Sequence, residues 1–319
     1  RAVSSVIKTG WIAEGVVLER FENAICRYAG LPNSRGVALS SGTASLYLAL
    51  KILDVRPGDE VVMPTYVCSA VLNAVCATGA KPVVTDIDKD SFNITRALVQ
   101  KAITARTKAV IVPHTFGVPS DAVGIRKLGV PVVEDCATAL GSKIHNRHVG
   151  GFGDIAVFSF YASKVITTGQ GGMLVARCAR YVNAARDYRE FDCRREYHPR
   201  FNFQMTDIQG AMGLVQVKKL ASFLSKRREM SGSYKDICFE KGWEFQHSND
   251  KEVQPNWYRF VLKLEPRVVG KLKECLKKNG VGTIIPIERW ELLHNYLKLD
   301  LTRFPVAEDV SGKTLSLPI

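Results

Sequence analysis

The first half of the chain alternates short apolar runs with segments of helical periodicity, and this alternation restricts the possible folds more than any other feature. The apolar runs are nearly continuous, which is typical of strands buried on both faces. Such strands, separated by helices, predict an α/β fold with a mainly parallel sheet covered by helices. The predicted strands are GVALS, DEVVMP, KPVVTDI, KAVIVP, VPVVED, IAVFSF and GGMLVA.

The pattern changes after about residue 176, where long helical stretches replace the alternation. They are followed by a strand, WYRFVLKL, a helix, VVGKLKECLKKNG, and a proline-rich end. We expect a large domain over residues 1–230, with the N-terminal segment included. A smaller C-terminal α+β domain is expected over 231–319, truncated at its end.

Charge and cysteine usage narrow the class of protein. The net charge is +13, but the basic residues are dispersed and show neither zinc-finger nor RNA-binding spacing, so we expect no nucleic acid partner. An excess of positive charge also suits the binding of phosphate-bearing small molecules, although lysines and arginines on solvated helix faces account for most of this excess. No apolar run approaches the roughly 20 residues of a membrane span. Eight cysteines, none in a C-x-x-C pair, stand mostly in apolar or helical settings, as small hydrophobic core residues do, and they favour a reducing, cytoplasmic location.

One lysine stands in the otherwise uncharged stretch SFYASKVITTGQGGM, which runs from a strand into a glycine-rich turn. Lys164 either extends its amine to solvent or uses it for chemistry. A desolvated amine at the edge of a site can form a Schiff base with an aldehyde. Two neighbouring hydroxyls, of Ser159 and Ser163, are candidates to hold a phosphate.

Two further strand ends carry polar residues. SSGTASL, with Gly42 and Thr43, joins a strand to a helix and is either an anion site or an ordinary Ser/Thr helix cap. Asp135 ends the run VPVVED, where open α/β sheets bind ligands, although it is equally suited to a cap or a structural hydrogen bond.

Taken together, these stretches match the requirements of one cofactor. Pyridoxal 5'-phosphate needs a phosphate cradle, an acidic partner for its ring nitrogen and a Schiff-base lysine. A flat face against the ring is the usual fourth element, and Tyr66 in MPTYVCSA is the candidate.

The same motifs resemble a known family in order and over nearly the whole chain. The sequence is similar to the DegT/DnrJ/EryC1/StrS sugar aminotransferases, which have the aspartate aminotransferase (type I) fold. The segments that carry the resemblance are GWIAEGVVLERFENAICRYAG, SSGTASLYLAL, GDEVVMPTYVCSA, VVEDCATALGS, GDIAVFSFYASKVITTGQGGML, FNFQMTDIQGAMGLVQ and LSLPI. In the family, the segment that LSLPI resembles lies some tens of residues before the end.

The resemblance implies a role for each matching residue. Lys164 is expected to form the Schiff base and then act as general acid and base, and Asp135 to keep the pyridine nitrogen protonated. Tyr66 is expected to stack on the ring. Asn202 matches a residue that reaches the phosphate of a neighbouring subunit's cofactor, which implies a homodimer with shared sites. The expected phosphate ligands are Gly42, Thr43 and Ser159.

The sequence also departs from the family pattern. Thr138 replaces the usual His or Gln near the ring hydroxyl, where its shorter side chain makes a weaker or water-mediated contact. Three more departures flank the lysine: Tyr161, Val165 and Gln170. They concern the identity of the substrate, which the resemblance implies is a nucleotide-linked keto-sugar, with L-glutamate as amino donor and an amino-sugar as product.

Other interpretations remain open. A cysteine desulfurase has the same fold, but it needs a reactive cysteine on a mobile loop, and Cys275 is expected at a core position of an amphipathic helix. A non-enzymatic regulator or binding protein on the same scaffold is a second alternative. The His145 and His148 pair lacks a third ligand for zinc.

Overall fold

The computed structural model describes all of residues 1–319, and a mixed sheet of seven strands lies at its centre. The helices are α1 (Ala2–Lys8), α2 (Val16–Tyr28), α3 (Gly42–Ile52), α4 (Ser69–Ala77), α5 (Arg96–Ala102), α6 (Ala122–Arg126), α7 (Ala179–Arg189), α8 (Asp207–Lys241), α9 (Pro266–Lys278), α10 (Leu293–Tyr296) and α11 (Pro305–Lys313). The strands are β1 (Gly36–Leu39), β2 (Glu60–Pro64), β3 (Lys81–Thr85), β4 (Thr107–Pro113), β5 (Val132–Asp135), β6 (Lys143–Ile144), β7 (Arg147–His148), β8 (Ile155–Ser159), β9 (Gly172–Ala176), β10 (Glu244–Phe245), β11 (Val253–Gln254), β12 (Phe260–Lys263) and β13 (Thr314–Leu317).

The order of the central sheet is β1-β9-β8-β5-β4-β2-β3. Only β9 runs against the other strands, because the connection from β8 contains no helix that would carry the chain back for a parallel pairing. The six other strands therefore end at one edge of the sheet. The prediction of a mainly parallel sheet covered by helices is confirmed.

Both faces of this sheet are buried, which explains the continuous apolar runs. In β2, Val61 and Met63 pack into one hydrophobic cluster, and Val62 packs into the cluster on the opposite face. Helices α3, α4 and α7 contribute to the first cluster, whereas α2, α6 and α8 contribute to the second. A single strand thus buries successive side chains under different helices.

The long helix α8 leads from the central sheet to the C-terminal part of the chain. It begins at a capping box formed by Thr206 and Gln209, and it ends at Gly242, whose φ of 65° suits glycine. Beyond it, β10, β12 and β13 form a second sheet, and β11 pairs with the hairpin of β6 and β7. The helix continues through residue 230, and the domain boundary expected there stays a prediction.

Three sequence-based expectations need correction. The strand predicted over WYRFVLKL begins only at Phe260, because Trp257 adopts a left-handed φ of 54° that interrupts an extended chain. Cys275 is exposed, since α9 buries Val269 and partly buries Leu272 and Leu276 instead. Most of the cysteines do not behave as core residues: five of the eight are exposed, and all are free thiols.

None of the helices combines the length and the apolar character that crossing a membrane requires.

Candidate active site

The residues singled out in the sequence follow the carboxyl ends of the parallel strands. Gly42 begins α3 just beyond β1, Asp135 is the last residue of β5, and Ser159 is the last residue of β8. Because β1, β8 and β5 run in the same direction, these residues lie at the same edge of the sheet. Open α/β sheets bind ligands at this edge.

A cleft of about 260 Å³ opens there and brings together four of the predicted residues. Tyr66, Asp135, Thr138 and Lys164 all contribute to its lining. Two separate stretches of sequence, one with Tyr66 and one with Asp135 and Thr138, therefore meet the segment that contains Lys164.

Asp135 lies almost fully buried in this cleft, with 8% of its surface exposed. Its Oδ1 accepts a hydrogen bond of 3.0 Å from the backbone N–H of Ala137. Burial raises the pKa of Asp135, and the Ala137 N–H and the charge of Lys164 oppose that rise. Such a carboxyl group is suited to share a proton with a basic ring nitrogen.

Lys164 is half-buried and directed into the cleft, and it does not extend freely to solvent as a surface lysine would. Its Nζ lies 5.3 Å from the centroid of the Tyr258 ring. No carboxylate lies within 4.0 Å of this nitrogen, so the amine has no ionic partner. An amine placed in this way is available as a nucleophile.

The phosphate-binding residues expected from the sequence lie beside one another. A Cβ atom added at Gly42 would meet the Ser159 Cβ at 2.9 Å, so only glycine leaves this space open. Ser41 caps α3 by accepting a 3.0 Å hydrogen bond from Ala44, which confirms the capping interpretation for that serine. The N–H groups of Gly42 and Thr43 in the same turn have no partner within the helix and can donate to an anion.

The other predicted residues have defined surroundings. Thr138 donates its hydroxyl hydrogen to the His114 carbonyl oxygen at 3.0 Å, which leaves its oxygen free to accept. Tyr66 is fully buried with its ring against Phe92 and Phe116, and burial raises its pKa. Asn202 is exposed. The roles expected for these residues stay predictions.

Other residues close the cleft from the C-terminal part of the chain and from the residue before α4, and none of them was predicted from the sequence. They are Cys68, Tyr258, Arg259, Pro286, Ile287, Glu291 and Tyr296. The only signal for them is the aromatic and basic character at the start of WYRFVLKL, and the N–H of Arg259 there donates to the carbonyl oxygen of Phe116, more than 100 residues earlier.

Asn256 holds this closing segment in place. Its buried amide donates 3.0 Å hydrogen bonds to the carbonyl oxygens of Thr138 and Leu140, and its Oδ1 accepts one of 2.9 Å from the N–H of Tyr258. One side chain thus ties the loop after Asp135 to the segment carrying Tyr258.

Replacing Asn256 by alanine should destabilise the protein by about 2 kcal/mol, because two buried carbonyl groups and one N–H lose their partner. Urea unfolding followed by circular dichroism measures the loss. Asn279→Ala is the matched control, since Asn279 is exposed at the end of α9. Equal stability of the two variants would show that Asn256 does not hold the segment.

These residues fit pyridoxal phosphate. The space that a Cβ at Gly42 would fill, the free N–H groups beside it, the buried Asp135 carboxyl group and the unpaired Lys164 amine match the phosphate, ring nitrogen and aldehyde of that cofactor. Gly42, Thr43 and Ser159 would hold the phosphate.

Solved structures of similar fold include several aminotransferases. Aminotransferase TlmJ from Streptoalloteichus hindustanus shares 32% identity at a TM-score of 0.91, over 99% of this chain and 89% of that chain. S. venezuelae DesV shares 29% identity at a TM-score of 0.92, over 100% of this chain and 88% of that chain. Spr1654 from Streptococcus pneumoniae, proposed to be a sugar aminotransferase, was solved in a PMP form. It shares 25% identity at a TM-score of 0.92, over 99% of this chain and 88% of that chain.

The family model for the DegT/DnrJ/EryC1/StrS aminotransferases matches residues 1–319, the whole chain. This match agrees with the order of motifs in the sequence, and the solved relatives confirm the type I α/β fold. The chain belongs to the DegT/DnrJ/EryC1/StrS aminotransferase family.

Proposed function

We propose that the protein is a pyridoxal phosphate-dependent aminotransferase that transfers an amino group from L-glutamate to a nucleotide-linked keto-sugar, forming an amino-sugar. The cleft that joins Lys164, Asp135, Thr138 and Tyr66 is the observation that carries the proposal. When bound, the cofactor supplies an aldehyde that captures amines and a ring that takes up electrons.

The side chains of the cleft have complementary tasks. Lys164 provides the nucleophilic amine, and its Nζ then takes up and returns the proton that moves during transamination. Asp135 keeps the ring nitrogen protonated. Gly42, Thr43 and Ser159 anchor the phosphate, so that the reacting group stays beside Lys164.

The finer parts of the proposal rest on the family and on the chain's chemistry. The net charge of +13 suits a substrate with a pyrophosphate. Exposure of Asn202 is compatible with a contact across a homodimer, in which each subunit would complete the other's site. The eight free thiols support the cytoplasm as location.

The test is an absorbance spectrum of the protein loaded with pyridoxal phosphate, recorded before and after addition of L-glutamate. We expect conversion to the pyridoxamine phosphate form with release of 2-oxoglutarate. A panel of nucleotide-linked keto-sugars should then restore the original spectrum. Gel filtration with multi-angle light scattering tests the dimer.

Two outcomes would contradict the proposal. Release of alanine from L-cysteine, with the sulfur held as an enzyme persulfide that added dithiothreitol reduces to sulfide, and without reaction of L-glutamate, would instead establish a desulfurase. Cofactor binding without conversion by any amino acid would favour the non-enzymatic alternative.

A further inference from the structure

Arg259 carries a charge in the cleft that nothing in the protein neutralises. Its side chain is half-buried and lines the cleft together with Lys164 and Asp135. No carboxylate lies within 4.0 Å of the guanidinium group, and the group donates no hydrogen bond to the protein. Its nitrogens are not among the buried atoms that lack a partner, so they stay open to the cleft and can donate to a ligand there.

Aromatic contacts hold this guanidinium group. Its Cζ lies 5.3 Å from the centroid of the Tyr258 ring and 5.9 Å from that of Phe116. The backbone N–H of Arg259 donates to the Phe116 carbonyl oxygen at 3.3 Å, and Arg227 donates to the Trp257 and Tyr258 carbonyl oxygens. The N–H groups of the Arg259 side chain are therefore held in position before a ligand binds.

The two acids of the cleft have other partners. Asp135 accepts from Ala137, and Glu291 accepts a 2.8 Å hydrogen bond from the N–H of Glu288. Neither forms an ion pair with Arg259. The guanidinium group therefore faces the cleft with its donors free for water or for a bound anion.

We propose that Arg259 binds the α-carboxylate of the amino-acid donor, an inference that rests on the proposed function. Lys164 Nζ and Arg259 Cζ each lie 5.3 Å from the centroid of the same ring, that of Tyr258. Their separation is therefore at most twice that distance, which places both groups within reach of one molecule bound in the cleft. The planar guanidinium group matches a carboxylate with two parallel hydrogen bonds.

A phosphate of the keto-sugar is the other anion that could reach Arg259. The Arg259 guanidinium group and the Lys164 amine both lie near the Tyr258 ring, so the guanidinium group is close to the amine at which the donor reacts. This arrangement favours the carboxylate of the donor as its ligand. In a nucleotide-linked sugar, by contrast, the sugar ring separates the reacting carbonyl group from the pyrophosphate. The two half-reactions distinguish these sources.

The experiment measures each half-reaction in a single turnover by stopped-flow absorbance, for wild type, Arg259→Gln and Arg259→Lys. For Arg259→Gln, we expect the L-glutamate concentration at half-maximal rate to rise about 10- to 100-fold, with a smaller rise for Arg259→Lys. Reaction of the pyridoxamine phosphate form with the keto-sugar should keep its wild-type concentration dependence. Arg303→Gln is the control, since Arg303 also lies over a ring, Phe304, but does not line the cleft.

A second readout does not depend on turnover. Succinate, which has carboxylates but no amine, is titrated calorimetrically into each variant; we expect wild type and Arg303→Gln to bind it and Arg259→Gln to bind it about 10- to 100-fold more weakly. Unchanged glutamate and succinate dependence in Arg259→Gln would overturn the proposal, as would a defect confined to the keto-sugar. A wild type that reacts with no amino acid would instead remove the proposed function, and the succinate titration would still decide whether Arg259 is a carboxylate site.

Discussion

Replacing Lys164 by alanine should lower the rate of transamination by at least about 10⁴-fold, because one nitrogen supplies both the nucleophile and the general acid–base group. The structure gives that nitrogen no substitute. Its neighbour Tyr258 presents its ring face, and the other cation of the cleft, Arg259, has a planar, delocalised guanidinium group in place of a simple amine.

The measurement combines kinetics with covalent trapping. Borohydride reduction in the presence of pyridoxal phosphate should add one cofactor mass to the wild-type chain and none to Lys164→Ala, as read by intact mass spectrometry. Lys235→Ala is the matched control: the Lys235 Nζ lies 4.6 Å from the Trp257 ring centroid, and burial lowers its pKa, yet it does not line the cleft. It should retain trapping and activity.

Trapping in Lys164→Ala but not in Lys235→Ala would show that the wrong amine had been chosen. Trapping at Lys164 together with undiminished turnover of Lys164→Ala would remove the acid–base role. Peptide mapping of the reduced protein identifies the modified lysine in either case.

The parts of the site that could be predicted from the sequence are those fixed by local structure. Asp135 ends a recognisable strand and Lys164 follows another, and strands of one direction end at the same edge of a sheet. Gly42 lies at a strand-to-helix junction whose capping serine is visible in the sequence. The fold was predictable for the same reason, because buried strands and their intervening helices repeat a clear pattern.

The parts that could not be predicted depend on contacts between distant residues. Arg259 reaches the cleft because Asn256 bonds to the carbonyl oxygen of Thr138, 118 positions earlier, and no periodicity signals such a pair. The exposure of Cys275 has a related cause: its position on the helix suits burial, but Leu272 and Leu276 take up the packing contacts.

A second large effect is expected from Glu134→Gln, one residue before Asp135. The buried Glu134 carboxylate accepts hydrogen bonds from the N–H groups of Gly150, Phe152 and Gly153 and from His114 Nε2, at 3.0, 2.7, 2.5 and 3.1 Å. His114 Nδ1 accepts from Ser120, so Nε2 carries the donated hydrogen. An amide would turn its own N–H groups toward these donors, and we expect a loss of about 3–5 kcal/mol.

The same network predicts how this stability depends on pH. Burial alone would raise the pKa of Glu134, but the hydrogen bonds from His114 and the glycine N–H groups hold it below the ordinary value of 4.5. The folded carboxyl group thus binds its proton more weakly than the unfolded one. Its contribution to stability is complete above pH 4.5 and is lost as the pH falls through the lower folded-state pKa.

Urea unfolding of wild type and Glu134→Gln across this range should therefore show a large stability difference near neutral pH that narrows below pH 4.5. Glu252→Gln is the control, since Glu252 is exposed and lies 3.9 Å from its nearest basic group. A difference that stays constant with pH would mean that shape, not charge, makes Glu134 necessary. The backbone N–H of His114 donates to the carbonyl oxygen of Asp135, and the Thr138 hydroxyl donates to the carbonyl oxygen of His114. Because His114 is linked in this way to two cleft residues, Glu134→Gln should also bind pyridoxal phosphate more weakly than Glu252→Gln does.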